Sequence, residues 1–134
     1  QALPWPELET PVAAPAPAPA LEPCAEWVDS QPASPDGHFV VGRTLLPALT
    51  ASGARMRARA QLRSRAGWVT GLGGVALAKG AALDVQEQDW CVRRHQTGAW
   101  ARYEAAVLGF VSHAEQERIR SLPPLETRLA PPAP

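Results

Sequence analysis

The sequence predicts a mainly α protein of about three helices, with an extended proline-rich arm at its N-terminal end and a short proline-rich tail. Three observations predict it. Nine of the 15 prolines fall between Pro4 and Pro35 and five between Pro123 and Pro134, so only Pro47 lies in the middle. The middle is rich in alanine and arginine, which are good helix formers. Residues 99–122 place Trp100, Tyr103, Val107, Phe110, Val111 and Ala114 at three-to-four spacing, an apolar stripe on one helix face.

With 134 residues, the chain has room for one small domain. The expected divisions are a proline-rich acidic arm (1–36), a small α-rich domain (37–122) and a tail (123–134). Dense proline excludes helix and central strand from the arm, because proline fixes φ and lacks an N–H donor. The run from Ala13 to Ala20 reads as a polyproline-II spacer. Residues 38–41 read as a short strand or extended segment.

The stretch 51–68 reads as a helix that Ser52 can cap. Its apolar positions Met56, Ala60, Leu62 and Ala66 form no clean stripe. Residues 66–85 are apolar and glycine-rich. Twenty such residues would match a bilayer, but Lys79 and five glycines favour a close-packed helix or a glycine-bent loop. Residues 84–95 read as a second helix, with Asp84 and Glu87 in a capping-box spacing. Residues 99–122 read as the third, capped by Thr97 and stopped by Pro123-Pro124.

Charge is segregated although the net charge is zero. Residues 1–36 carry six acids and no base, and residues 37–83 carry seven bases and no acid. The neutral total argues against a strongly basic nucleic-acid binder. Arg55, Arg57, Arg59, Arg63 and Arg65 fall within eleven residues and suit carboxylate or phosphate partners. An acidic protein surface, or the chain's own arm, is the first expectation for them. Anionic lipid is a second, and nucleic acid through residues 55–65 a third.

Two cysteines exclude a dense disulfide scaffold and a four-cysteine metal site. Cys24 and Cys91 are expected to pair, tying the arm to the domain, if the chain matures in an oxidising compartment. The start at Gln1 suggests a removed leader, and with it a periplasm or organelle lumen. His38, His95 and His113 are scattered. Cys91 and His95 stand one helical turn apart but offer too few ligands for zinc. No third group orients them as a nucleophile pair. Gly71-Leu72-Gly73-Gly74 lacks the Gly-Lys-Ser/Thr ending of a phosphate loop. No cofactor motif or catalytic set is legible.

Five tryptophans accompany only two phenylalanines and one tyrosine. Trp5 and Trp27 lie in the arm, where they read as anchors for another surface, since tryptophan is enriched at interface hot spots. The expectation is a non-enzymatic accessory subunit. It would bind a larger, membrane-associated protein complex through its arm, Trp5, Trp27 and the arginines, as a membrane-peripheral protein. The alternatives are an envelope or virion protein using the glycine-rich segment, and a nucleic-acid-binding module.

Overall fold

In the computed structural model, which describes residue 24 and residues 26–125, a three-stranded antiparallel sheet organises the chain. The elements run β1 (Gly37–Arg43), α1 (Ala51–Thr70), α2 (Gly73–Ala78), β2 (Gln86–Thr97), β3 (Trp100–Ser112) and α3 (His113–Ser121), after a short 3-10 turn at Glu26–Val28. The strands are ordered β1-β3-β2. Strands of 7, 12 and 13 residues stand beside helices of 20, 6 and 9, so the mainly α expectation is overturned and the fold is α+β.

The correction lies in two segments. Residues 86–97 form β2 rather than the expected helix over 84–95. Of the expected helix over 99–122, residues 100–112 form β3 and only 113–121 are helical. The physical reason is that β3 is the central strand and is buried on both faces. Val107 and Val111 face α1, while Ala106 and Leu108 face a second layer. A strand buried on both faces reads as a continuous apolar run, here 105–111, and such a run satisfies helical spacing by accident. Thr97 and Gly98 do not continue a helix. Thr97 pairs with Trp100 across a two-residue loop in which Gly98 takes φ 60°, a hairpin turn conformation.

The helix over 51–68 is present, extended to Thr70. Thr50, not Ser52, caps it by accepting from the Gly53 N–H. Its buried stripe is Ala54, Ala58, Leu62 and Ala66, one residue per turn and mostly methyl groups. Met56 faces solvent. Small side chains let α1 lie close on the sheet, where Gly42 and Gly109 leave room for Ala58 and Leu62. Buried Thr44 ties the layers together. Its hydroxyl donates to Ala54 O (2.7 Å) and accepts from Ala105 N–H (3.1 Å). Each such bond contributes about 1 kcal/mol net.

The expected strand at 38–41 is found within β1. Residues 66–85 split into the end of α1, the short α2 and an extended segment. Gly71 ends α1 in the left-handed conformation (φ 71°), and Gly67 packs against Gly73 where the two helices approach. No helix among the described residues is long and apolar enough to cross a membrane. Lys79 caps α3, its ammonium donating to Ile119 O (3.0 Å) and Arg120 O (2.7 Å). Ile119 is fully buried against Leu72 and Ala76. Pro123 and Pro124 follow the end of α3, as the sequence requires.

The opposite sheet face is covered by the chain before β1. Val28 is buried against Val41, Ala106 and Leu108, with Trp27 and Phe39 packed beside them. The Cys24–Cys91 disulfide fastens this layer to β2, with a Cα–Cα distance of 5.7 Å. Arg43 adds a clamp, donating to Val28 O and pairing with Asp29 (3.1 Å).

Candidate interaction surface

The five arginines of α1 are not equivalent. Arg59 forms a two-point pair with Glu87, Nε to Oε2 at 2.5 Å and Nη2 to Oε1 at 2.9 Å. It also lies over the Trp90 ring at 5.2 Å, and Arg55 approaches the same ring at 5.9 Å. Arg57 reaches the β1–α1 loop, donating to Leu46 O (3.0 Å) and Pro47 O (3.2 Å). These three therefore brace the domain. Arg63 and Arg65 project into solvent and pair with no carboxylate among the described residues.

Arg63, Gly67 and Gly73 are shared by two adjoining clefts at the α1–α2 junction, of about 770 and 870 Å³. Leu77 lines the first and Trp68 the second. Both are strongly exposed, Leu77 at 80% and Trp68 at 82%. The packing explains why. Gly71 ends α1 just after Trp68, and α2 presents only Ala76 to the core, so neither large side chain is covered. Leu45, Leu46 and Leu49 are also exposed, in the loop that Arg57 holds. At the tip of the β2–β3 hairpin, Trp100 is exposed with Arg102 over its ring at 5.9 Å.

Sequence reasoning singled out two tryptophans in the arm. Trp5 lies outside the described residues. Trp27 is half-buried on its own chain and donates through Nε1 to Asp89 (3.0 Å). The acids Glu7, Glu9 and Glu22 also lie outside the described residues. Cys24 and Cys91 are joined as expected. The exposed Trp68, Leu77, Trp100 and loop leucines were not anticipated as a surface. A legible signal for part of it was Leu45-Leu46 directly before Pro47, two large apolar residues where a helix is disfavoured.

Cys91 and His95 lie on a strand rather than a helical turn, and Cys91 is oxidised. His95 Nε2 is buried 2.5 Å from Glu104 Oε1 and has no hydrogen-bond partner among the described residues. Arg93 meets the same carboxylate at 3.1 Å. Among the described residues no three or more His, Cys, Asp or Glu side chains converge as metal ligands.

Among the described residues, two carboxyls are held below the ordinary value of 4.5. Glu87 is lowered first by its hydrogen bond from Arg59. Glu115 is lowered first by Arg118 (2.5 and 2.8 Å), with Asp84 N–H adding a bond of 2.6 Å. A carboxyl lowered by folding contributes stability above its unfolded pKa, and that contribution is lost as pH falls through the folded value. Unfolding stability should therefore decline below about pH 4.5. The Glu87→Gln/Glu115→Gln variant should show a shallower decline in urea titrations between pH 7 and 3. An equally steep acid limb in that variant would remove both groups from the account.

Compared with family models, curated proteins and solved structures, the chain matches none.

Proposed function

We propose that this chain is a non-enzymatic accessory subunit of a larger protein assembly, docked through the α1–α2 rim and its proline-rich arm. The observation that carries the reading is the exposure of Trp68 (82%) and Leu77 (80%) beside the projecting Arg63 and Arg65. Tryptophan and arginine are the residues most enriched among interface hot spots. Large apolar side chains at a cleft rim lose water only when a partner covers them. A proline-rich arm adds contacts along its length at reduced entropic cost.

The disulfide fits a non-cytosolic, oxidising setting. We place the subunit in a periplasm or organelle lumen, at the periphery of a membrane-associated complex. Tryptophan beside arginine suits the edge of a lipid headgroup layer as well as a protein groove, which supports that placement.

Native purification from the source, with sizing and mass spectrometry of co-migrating proteins, tests this. The chain should run in a complex that resists salt and mild detergent. The Trp68→Ser/Leu77→Ser variant should leave the complex while keeping its far-ultraviolet circular dichroism. Recovery of the wild type as nothing larger than copies of itself would overturn the reading.

A further inference from the structure

The order β1-β3-β2 leaves β2 as a sheet edge of 12 residues. Which backbone groups face outward follows from β3. Tyr103 exchanges both hydrogen bonds with Ala48 (2.8 and 2.9 Å), and Ala105 O accepts from Thr44 N–H (2.9 Å). Tyr103 and Ala105 thus spend their backbone groups toward the β1 side. Their opposites on β2 are Arg94 and Val92. In an antiparallel ladder, residues opposite such positions turn N–H and C=O away from the shared strand. Val92 and Arg94 therefore present donors and acceptors to the outside. Among the described residues no backbone group pairs with them. Trp90 shares this orientation, and its N–H is held by Asp89 Oδ1 (2.8 Å).

The edge is also sorted by charge. Glu87 and Asp89 stand at its start, and Arg93 and Arg94 toward its end. A parallel copy would set like charges together, whereas an antiparallel copy sets opposites together. Outward-facing residues can pair only with outward-facing residues, which allows a two-fold axis through Cys91. Asp89 then lies opposite Arg93 of the second copy, twice by symmetry, on the disulfide face. Trp90 lies opposite Val92, twice, on the α1 face. An axis at Trp90 sets Asp89 against Cys91 and loses the ion pairs, and an axis at Val92 sets Cys91 against Arg93 and Asp89 against His95, which leaves Arg93 without a carboxylate across the seam. The β-bulge between Glu87 and Asp89 ends the pairable edge on one side.

We infer that β2 is a homodimer interface, in which two copies join edge to edge into one six-stranded sheet about a two-fold axis at Cys91. Strand addition of this kind takes its affinity from main-chain bonds and its register from side-chain pairs.

Sedimentation of the full oxidised chain tests it. The wild type should be dimeric. Asp89→Arg sets arginine against arginine, and Arg93→Asp sets aspartate against aspartate. Each should weaken the dimer by on the order of a hundredfold. Mixing the two variants restores opposite charges at both positions, so the mixture should dimerise. A wild type still monomeric at about 1 mM would overturn the proposal. So would a dimer indifferent to either reversal, or a mixture that stays monomeric while each variant keeps the wild-type circular dichroism. Amide exchange in the wild type provides a readout without substitution. The Val92 and Arg94 amides should be protected in concentrated solution and lose protection on dilution. Fast exchange at both concentrations would overturn the interface even if a variant failed to fold.

Discussion

Gly42→Ala should destabilise the protein by about 3–5 kcal/mol, at the upper end of what single substitutions do. The added β-carbon would lie 2.4 Å from the carbonyl oxygen of Ala58 and 2.6 Å from the N and Cβ of Leu62. Two of those atoms are helix backbone, so no rotamer change relieves the overlap. Either α1 lifts from the sheet or β1 bends away from it. Lifting α1 would also strain the Thr44 hydroxyl bonds to Ala54 and Ala105.

Two other glycines serve as controls. At Gly109 the new carbon meets only side-chain tips, Val85 Cγ1 at 2.7 Å and Leu62 Cδ1 at 2.8 Å. Those tips can move, so Gly109→Ala should cost about 1–3 kcal/mol. At Gly74, inside α2, nothing lies within 4 Å. Gly74→Ala should be neutral or stabilise by up to about 1 kcal/mol. Urea unfolding of the three variants should rank them in that order. If Gly42→Ala unfolds like the wild type, the close seating of α1 on the sheet is wrong.

That seating also explains what the sequence could and could not disclose. A helix over 51–68 was legible from alanine and arginine propensity, but its two further residues and its buried face were not. The stripe that packs is three alanines and one leucine, too weak an apolar signal to stand out against Met56. The glycines that accept it, Gly42 and Gly109, are distant in sequence and carry no local mark of their partner. The end of α3 was legible because Pro123-Pro124 forbids continuation. Strands β2 and β3 were not, because helical propensity and three-to-four spacing are local. Burial on both faces depends on β1, α1 and the layer before β1 arriving together. Trp27 illustrates the same limit, since its half-burial comes from the cluster of Val28, Val41, Ala106 and Leu108 and its hydrogen bond to Asp89 rather than from its proline-rich neighbourhood. The exposed rim at Trp68 and Leu77 depends on where α1 stops and how α2 turns, which is a tertiary property.

Reducing the Cys24–Cys91 bond should cost about 4 kcal/mol, with the chain-entropy of the unfolded state as the main term. The bond spans 67 residues, so it closes a long loop. Domains of this size have total stabilities of about 5–15 kcal/mol, which leaves the reduced protein marginal. The structure says where the loss falls first. The layer before β1 is held by Val28, half-buried Trp27, the Arg43 clamp and the disulfide, and of its described side chains Val28 is the buried one, at 8% exposure. Once the bond opens, that layer should detach before the α1 face does. Its departure uncovers Val41, Ala106 and Leu108 and frees Trp27 from Asp89. The α1 side keeps Leu62, Val40, Val107 and Val111, all fully buried. Cys24→Ser/Cys91→Ser should therefore lose amide protection across residues 26–36 at denaturant concentrations where α1 stays protected. Its midpoint should fall with little change in helical circular dichroism beforehand. A variant as stable as the oxidised wild type would show that burial of Val28 alone secures this face. Simultaneous loss at both faces would show that the two layers unfold as one unit, with the disulfide bracing the whole sheet through β2.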